Sequence, residues 1–310
     1  MLARVGAITL NTYREAVRAR VLHGLFALAL ATAVYALLVG QFALRDSLRV
    51  VSDFGSASIS VYAIVVAIVL GATSLYRELE LKTIFPILAR PIARSEYLVG
   101  KYIGTLLTLL VFIAANAGAL LLALGAVSGG SIAGALGIGL GSIVVFGVLA
   151  WKLPRARTLL PIPWALSIAA GGFWIAATAP DDRRLIAGLA LLTLFEVGIV
   201  TAIATLFSSF SSPFLTAIFT FGVFVVGRSA DTLAHLPAKV FGAAIQSAGE
   251  VLSKVVPNLM LYVPPRPLIT GEAAGSSLAS YLGLAFVQAL AWSIGLLAVA
   301  SLIFRRRDFL

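Results

Sequence analysis

The sequence predicts an all-α, polytopic membrane bundle of about eight transmembrane helices, on three observations. Of 310 residues, 60% are hydrophobic and 12% charged, against roughly 45–50% and about 25% in soluble domains. The apolar residues fall in runs of the length that a helix needs to cross hydrocarbon while satisfying its own backbone, about 20 residues. The basic residues behind the net charge of +10 sit in short clusters between those runs. A nucleic-acid binder would gather them on one continuous face, so nucleic acid is not an expected partner and the membrane surface is.

Taken in order, residues 1–20 form an amphipathic helix, with Arg4, Asn11, Arg14 and Arg18 on one stripe and Leu2, Val5, Tyr13 and Val17 opposite. Such a helix lies in the interface and binds lipid. Spans are expected at about 22–41, 58–76, 102–125, 132–150, 159–179, 185–207, 213–230 and 281–304. One set of alternate loops holds fifteen Lys and Arg residues, in clusters around Arg14, Lys82, Arg155 and Arg306, and the other set holds eight, Arg228 among them. The positive-inside rule then puts both termini in the cytoplasm.

Chemistry-bearing residues are few. The chain has no cysteine and only His23 and His235 as histidines, which leaves little for a metal site or a disulfide framework. The stretch "SGGSIAGALGIGLGS" has the glycines of a phosphate loop but not the Lys and Ser or Thr that must follow the last one. Gly130, Gly134, Gly137 and Gly141 recur at helical spacing instead and are read as a helix-packing face.

Glu196, in "LLTLFEVGIVTAIATLF", is the only acid in the apolar body of a span. It sits near mid-bilayer, and an acid there faces a bundle interior or a wet cavity. Asn116, at similar depth, is the expected partner. Two readings stand for Glu196 and Asn116: a packing constraint that fixes helix register, or the lining of a transport path. The segment 231–280 carries apolar spacing for one or two interfacial helices, then a proline-rich connector. It reads as a lid over the bundle's outer end, as an external gate, or as a docking surface for an extracytoplasmic partner.

Between the second and third spans the chain reads "RELELKTIFPILARPIARSEYLVGKYIG". Here Glu78 and Glu80, Thr83, the apolar run Ile84, Phe85, Pro86, Ile87 and Leu88, then Pro91, Arg94, Gly100 and Lys101 follow in the order of the cytoplasmic loop of type-2 ABC transporter permeases, which the segment resembles. Further resemblance lies in residues 205–227, 255–262 and 304–309. The resemblance implies a six-span core with an N-terminal elbow helix in a bacterial inner (plasma) membrane. It also implies export driven by a dimer of separate ABC ATPase subunits, with loop 77–101 as the coupling contact. A second permease copy or a paralogue would complete the path. No cofactor would bind the chain itself, since ATP and magnesium belong to the ATPase, and the chain is not expected to be an enzyme. Residues of about 126–184 depart from the family pattern and read as an inserted helical hairpin.

In physical terms, an apolar run flanked by charges seats in a partner's groove while the charges orient it. Two alternatives remain from the residues alone. One is a secondary transporter driven by protons through Glu196; the other is a membrane-embedded enzyme, which would need a base at mid-depth.

Overall fold

The computed structural model describes residues 2–43, 46–80, 93–236, 242–271 and 277–306, without the side chains of 2, 75–80, 305 and 306. All regular structure among these residues is helical. Twelve α-helices are described: α1 Leu2–Val17, α2 Arg20–Phe42, α3 Ser47–Glu80, α4 Arg94–Val127, α5 Ile132–Lys152, α6 Pro161–Ile175, α7 Pro180–Ser208, α8 Pro213–Arg228, α9 Ala230–Ala234, α10 Ala243–Val255, α11 Arg266–Thr270 and α12 Leu278–Arg306. Seven are long and apolar enough to cross a membrane, α6 doing so with the 3-10 turn that extends it to Thr178. The chain is therefore a multi-pass membrane protein.

The helices start where local chemistry allows. Pro161, Pro180 and Pro213 stand in the first turns of α6, α7 and α8, where a missing N–H costs no hydrogen bond. Asp181 and Asp182 lie in the first turn of α7 and favour its positive dipole end. Ser131 caps α5 by accepting from the Gly134 amide at 2.9 Å.

Helices α3, α4 and α7 carry the core. Leu192, Val197, Ile199 and Val200 of α7 have no exposed surface, and they pack with Ala63 and Ala67 of α3 and with Leu109 and Leu120 of α4 in one cluster. Around this core α2, α5 and α12 leave most of their residues unburied, as helices bordering lipid do.

Small residues set the closest approaches. A Cβ at Gly118 of α4 would lie 2.6 Å from the Ala169 amide nitrogen of α6, and one at Gly172 would lie 2.5 Å from the Gly118 carbonyl. The backbones of α4 and α6 therefore nearly touch. This is not the glycine face expected from sequence. A Cβ at Gly137 or Gly141 meets nothing within 4 Å, while Gly134 and Gly130 face Ile175. Periodic spacing found the small residues of α5, but this chain closes its tight contact one helix away. Gly118→Val is accordingly expected to destabilise by about 2–3 kcal/mol through overpacking against backbone. Gly137→Ala should be neutral or slightly stabilising. Thermal unfolding of the two purified variants checks the contrast.

Two boundaries differ from the sequence reading. First, α3 runs to Glu80 and α4 begins at Arg94, so Arg94, Gly100 and Lys101 lie on the opening turns of a helix rather than in a loop. Second, the seventh expected span is realised as α8, whose 16 residues reach about 24 Å, short of about 30 Å of hydrocarbon. The segment after α8, read from the sequence as a lid or as an external gate or docking surface, is anchored in the bundle. Leu259, Tyr262 and Ile269 are buried in the main core, the Leu259 amide donates to the Gly227 carbonyl at 3.0 Å, and the Tyr262 hydroxyl donates to the Ala285 carbonyl of α12 at 3.2 Å. The chain thus folds back over the short helix and supplies the packing that α8 is too short to reach.

Candidate functional site: a polar-to-apolar cavity and the clamped ends of the loop

Between α3, α7, α8 and the segment Tyr262–Arg266 lies a cavity of about 460 Å³. On α3 its wall is the stripe Asp53, Ser56, Ala57, Ser60, Val61, Ile64, Val65 and Ile68, residues that share one helix face through their three- and four-residue spacing. Opposite stand Leu185, Leu189 and Thr193 of α7, and Phe221, Phe224 and Arg228 of α8.

Two arginines and their carboxylate partners frame it. At mid-wall Arg228 grips Glu196 bidentately, Nε donating to Oε1 at 2.6 Å and Nη2 to Oε2 at 2.8 Å. Nη2 also donates to the Ser60 hydroxyl at 3.3 Å, and the guanidinium lies 5.5 Å from the Phe224 ring centroid. The Glu196 side chain is fully buried and that of Arg228 is 26% exposed, so the carboxylate sits behind the wall and the arginine faces the cavity. At the mouth Arg266 donates to Asp53 at 2.6 Å and also binds Asp182. The Ser52 hydroxyl donates to the same Asp182 at 2.7 Å. Burial works against the charge of Arg266, but the hydrogen bond to Asp182 and the charges of Asp53 and Asp182 outweigh it and push the guanidinium pKa up.

The partner of Glu196 is thus Arg228, not Asn116. The Asn116 amide donates to the Phe112 carbonyl of its own helix at 2.8 Å, and its Oδ1 is buried with no hydrogen-bond partner among the described residues. A countable signal for Arg228 existed. Glu196 precedes the tight turn at Ser209–Ser212 by about as many residues as Arg228 follows it, so an antiparallel hairpin brings the two within a long side chain's reach. A carboxylate with both oxygens held by one guanidinium suits a fixed clamp better than a group that loads and releases protons. His23 and His235 each turn to the carbonyl four residues earlier, Ala19 and Asp231. Among the described residues no group of three His, Asp or Glu could hold a metal ion.

A scan against protein-family models gives no match for this chain, and neither does a search of curated protein sequences.

At the other end of α3 the structure describes the anchors of the charged loop. Lys101 is 4% exposed, and its ammonium donates to the Ser74 carbonyl at 2.7 Å and the Ser74 hydroxyl at 3.2 Å, tying α4 to α3 across the loop. Arg94 donates to the Phe304 carbonyl of α12 at 3.0 Å, while Tyr97 stacks on the Phe304 ring at 6.4 Å. A Cβ at Gly100 would lie 2.8 Å from Ile8, and one at Gly104 would lie 2.6 Å from the Thr9 carbonyl. Helix α1 therefore docks directly on the root of α4, with Thr12 and Tyr13 buried and Thr9 donating to the Gly100 carbonyl at 3.2 Å. Glu78 and Glu80 belong to the last turn of α3, and their side chains are outside the description. Thr83, Ile84, Phe85, Pro86, Leu88 and Pro91 lie outside the described residues.

Proposed function

We propose that the chain is the membrane-spanning subunit of a type-2 ABC exporter, with both termini cytoplasmic in a bacterial inner membrane, driven by a separate ATPase dimer that engages residues 77–101. The supporting observation is the clamping of the helices on both sides of that segment. Through Lys101, Arg94 and Tyr97, a push delivered between α3 and α4 is passed to α12 and, through Gly100 and Gly104, to α1. An ordinary headgroup-binding loop has no need of a buried lysine bridging its two helices. The order of motifs in residues 77–102 supports the same reading, as does the lack of a Walker A lysine motif in the chain. In this orientation the Asp53–Arg266 mouth opens to the outer side and the cavity forms part of the path. A second copy or a paralogue pairs with the chain across it.

Affinity purification of the full chain in mild detergent tests this. An ATPase bearing a Walker A motif is expected at near one-to-one stoichiometry, and combined Glu78→Lys and Glu80→Lys exchange should remove it and lower transport about tenfold or more. Absence of any such ATPase, with activity intact in the charge-reversed variant, would end the proposal.

A further inference from the structure

The cavity wall changes character along its length. Asp53, Ser56 and Ser60 line α3 toward the mouth, and Val61, Ile64, Val65 and Ile68 line it further in. From Asp53 to Ile68 the helix rises about 22 Å. That matches one bilayer leaflet with its headgroup layer, about 20–22 Å. Polar wall therefore stands at headgroup depth and apolar wall at acyl depth.

A second observation points to an occupant. Ser56 is 5% exposed, lines the cavity, and its Oγ is buried without a hydrogen-bond partner among the described residues. A buried hydroxyl left unmatched costs about 1–3 kcal/mol, and a rotation about χ1 that turned it to the cavity would let a ligand's polar group at that depth recover the loss.

The charges constrain that group. Arg228 is held by Glu196. Arg266 is held by Asp53 and Asp182, and Arg49 lies 3.6 Å from Asp53. Three arginines thus meet three carboxylates, and a charged ligand would have to break a pair to be neutralised. Val61 and Phe221 are both more than half exposed, so the cavity is open sideways between α3 and α8, where a molecule already dissolved in the leaflet can enter.

From these observations we infer that the cavity binds a single-chain amphiphile with a hydrogen-bonding head of no net charge. Its head lies beside Ser56 and its chain runs along Val61, Ile64, Val65 and Ile68. This deepens the exporter reading by naming the cargo class, and its orientation rests on that reading.

Binding is measured on the full chain alone in nanodiscs, so the result does not depend on whether an ATPase partner exists. The probe is a monoacylglycerol carrying a mid-chain diazirine, photolysed and mapped by peptide mass spectrometry. Unlabelled monoacylglycerol and the alkyl phosphate of equal chain length serve as competitors. Saturable labelling is expected on the peptides of Ile64–Ile68 and Phe221–Phe224. Val65→Trp, at a half-exposed wall position that tolerates bulk, should abolish it. Ser56→Ala should weaken binding about fivefold, one neutral hydrogen bond. Monoacylglycerol should compete better than the alkyl phosphate in the native chain, with the order reversed in Glu196→Gln, which leaves the Arg228 charge unmatched. Three results would each overturn the inference. They are labelling no stronger than on the outward face of α5 at Leu140 and Val144, labelling unchanged in Val65→Trp, or the alkyl phosphate competing best in the native chain.

Discussion

Arg228→Ala is expected to be the most damaging single exchange in the membrane-spanning part of the protein. It leaves the fully buried Glu196 carboxylate without its only described counter-charge. Breaking one partner out of a buried pair costs about 3–5 kcal/mol, and a detergent-solubilised melting temperature should fall by roughly 5–10 °C. The exchange Glu196→Gln is milder, since the amide still accepts from Arg228 and the remaining arginine reaches the cavity. Replacing both, as Arg228→Met with Glu196→Leu, should return stability to within about 1 kcal/mol of native, because a well-packed apolar pair avoids the desolvation cost altogether. A double-mutant cycle by thermal unfolding reads this directly. If the single and double variants were equally unstable, the damage would lie in packing around Phe224 and not in the stranded charge.

The second large effect is expected at Lys101. Its alanine variant loses the donor to the Ser74 carbonyl and hydroxyl and frees α3 from α4 at the root of the charged loop. The fold keeps its apolar core, so the loss of stability should be about 1–3 kcal/mol, the worth of charge-assisted hydrogen bonds. Under the proposed function the consequence for coupling is larger. ATP hydrolysis by the bound partner should continue while transport falls about tenfold or more, since energy delivered at the loop no longer moves both helices together. Lys101→Arg, which can still donate to Ser74, should recover much of the transport. Parallel loss of hydrolysis and transport in the alanine variant would assign Lys101 to assembly of the complex instead.

The contrast between these two sites shows what a sequence can disclose in this protein. Membrane spans are legible because hydrocarbon imposes a length on each apolar run, so α2, α3, α4, α5, α6, α7 and α12 all have counterparts in the sequence reading. The exception, α8, has an apolar run of spanning length through residue 230, but its helix stops at Arg228 where the arginine turns back toward Glu196. Depth along α7 was also legible, and it marked Glu196 as a residue that must have a partner. The partner was legible only as a residue count across the hairpin, because which side chain at that distance meets Glu196 depends on how two helices are rotated, and hydropathy carries no information on rotation. Asn116 has the right depth and faces its own helix. The same limit applies to the glycines. Spacing identifies a smooth face on α5, but only the neighbours decide that Gly118 and Gly172 make the tight contact. Ser56 carried no sequence signal at all, since an isolated serine in a span usually satisfies itself on the preceding turn.

The cavity and the loop lie at opposite ends of α3, which is 34 residues long and spans about 51 Å. Tyr97, Lys101 and Phe304 lock the loop end, and Ser52, Asp182 and Arg266 lock the cavity end. Under the proposed function, this helix fixed at both ends is the element by which a cytoplasmic push would alter a cavity in the far leaflet.

The most direct test of that account is site-specific cross-linking from the loop. A photoreactive phenylalanine analogue placed at Phe85, irradiated in intact cells, is expected to give one dominant adduct with an ATPase subunit that carries a Walker A motif, and the adduct should weaken when Glu78 and Glu80 are reversed. Adducts with lipid alone, unchanged by that reversal, would contradict a coupling role for residues 77–101.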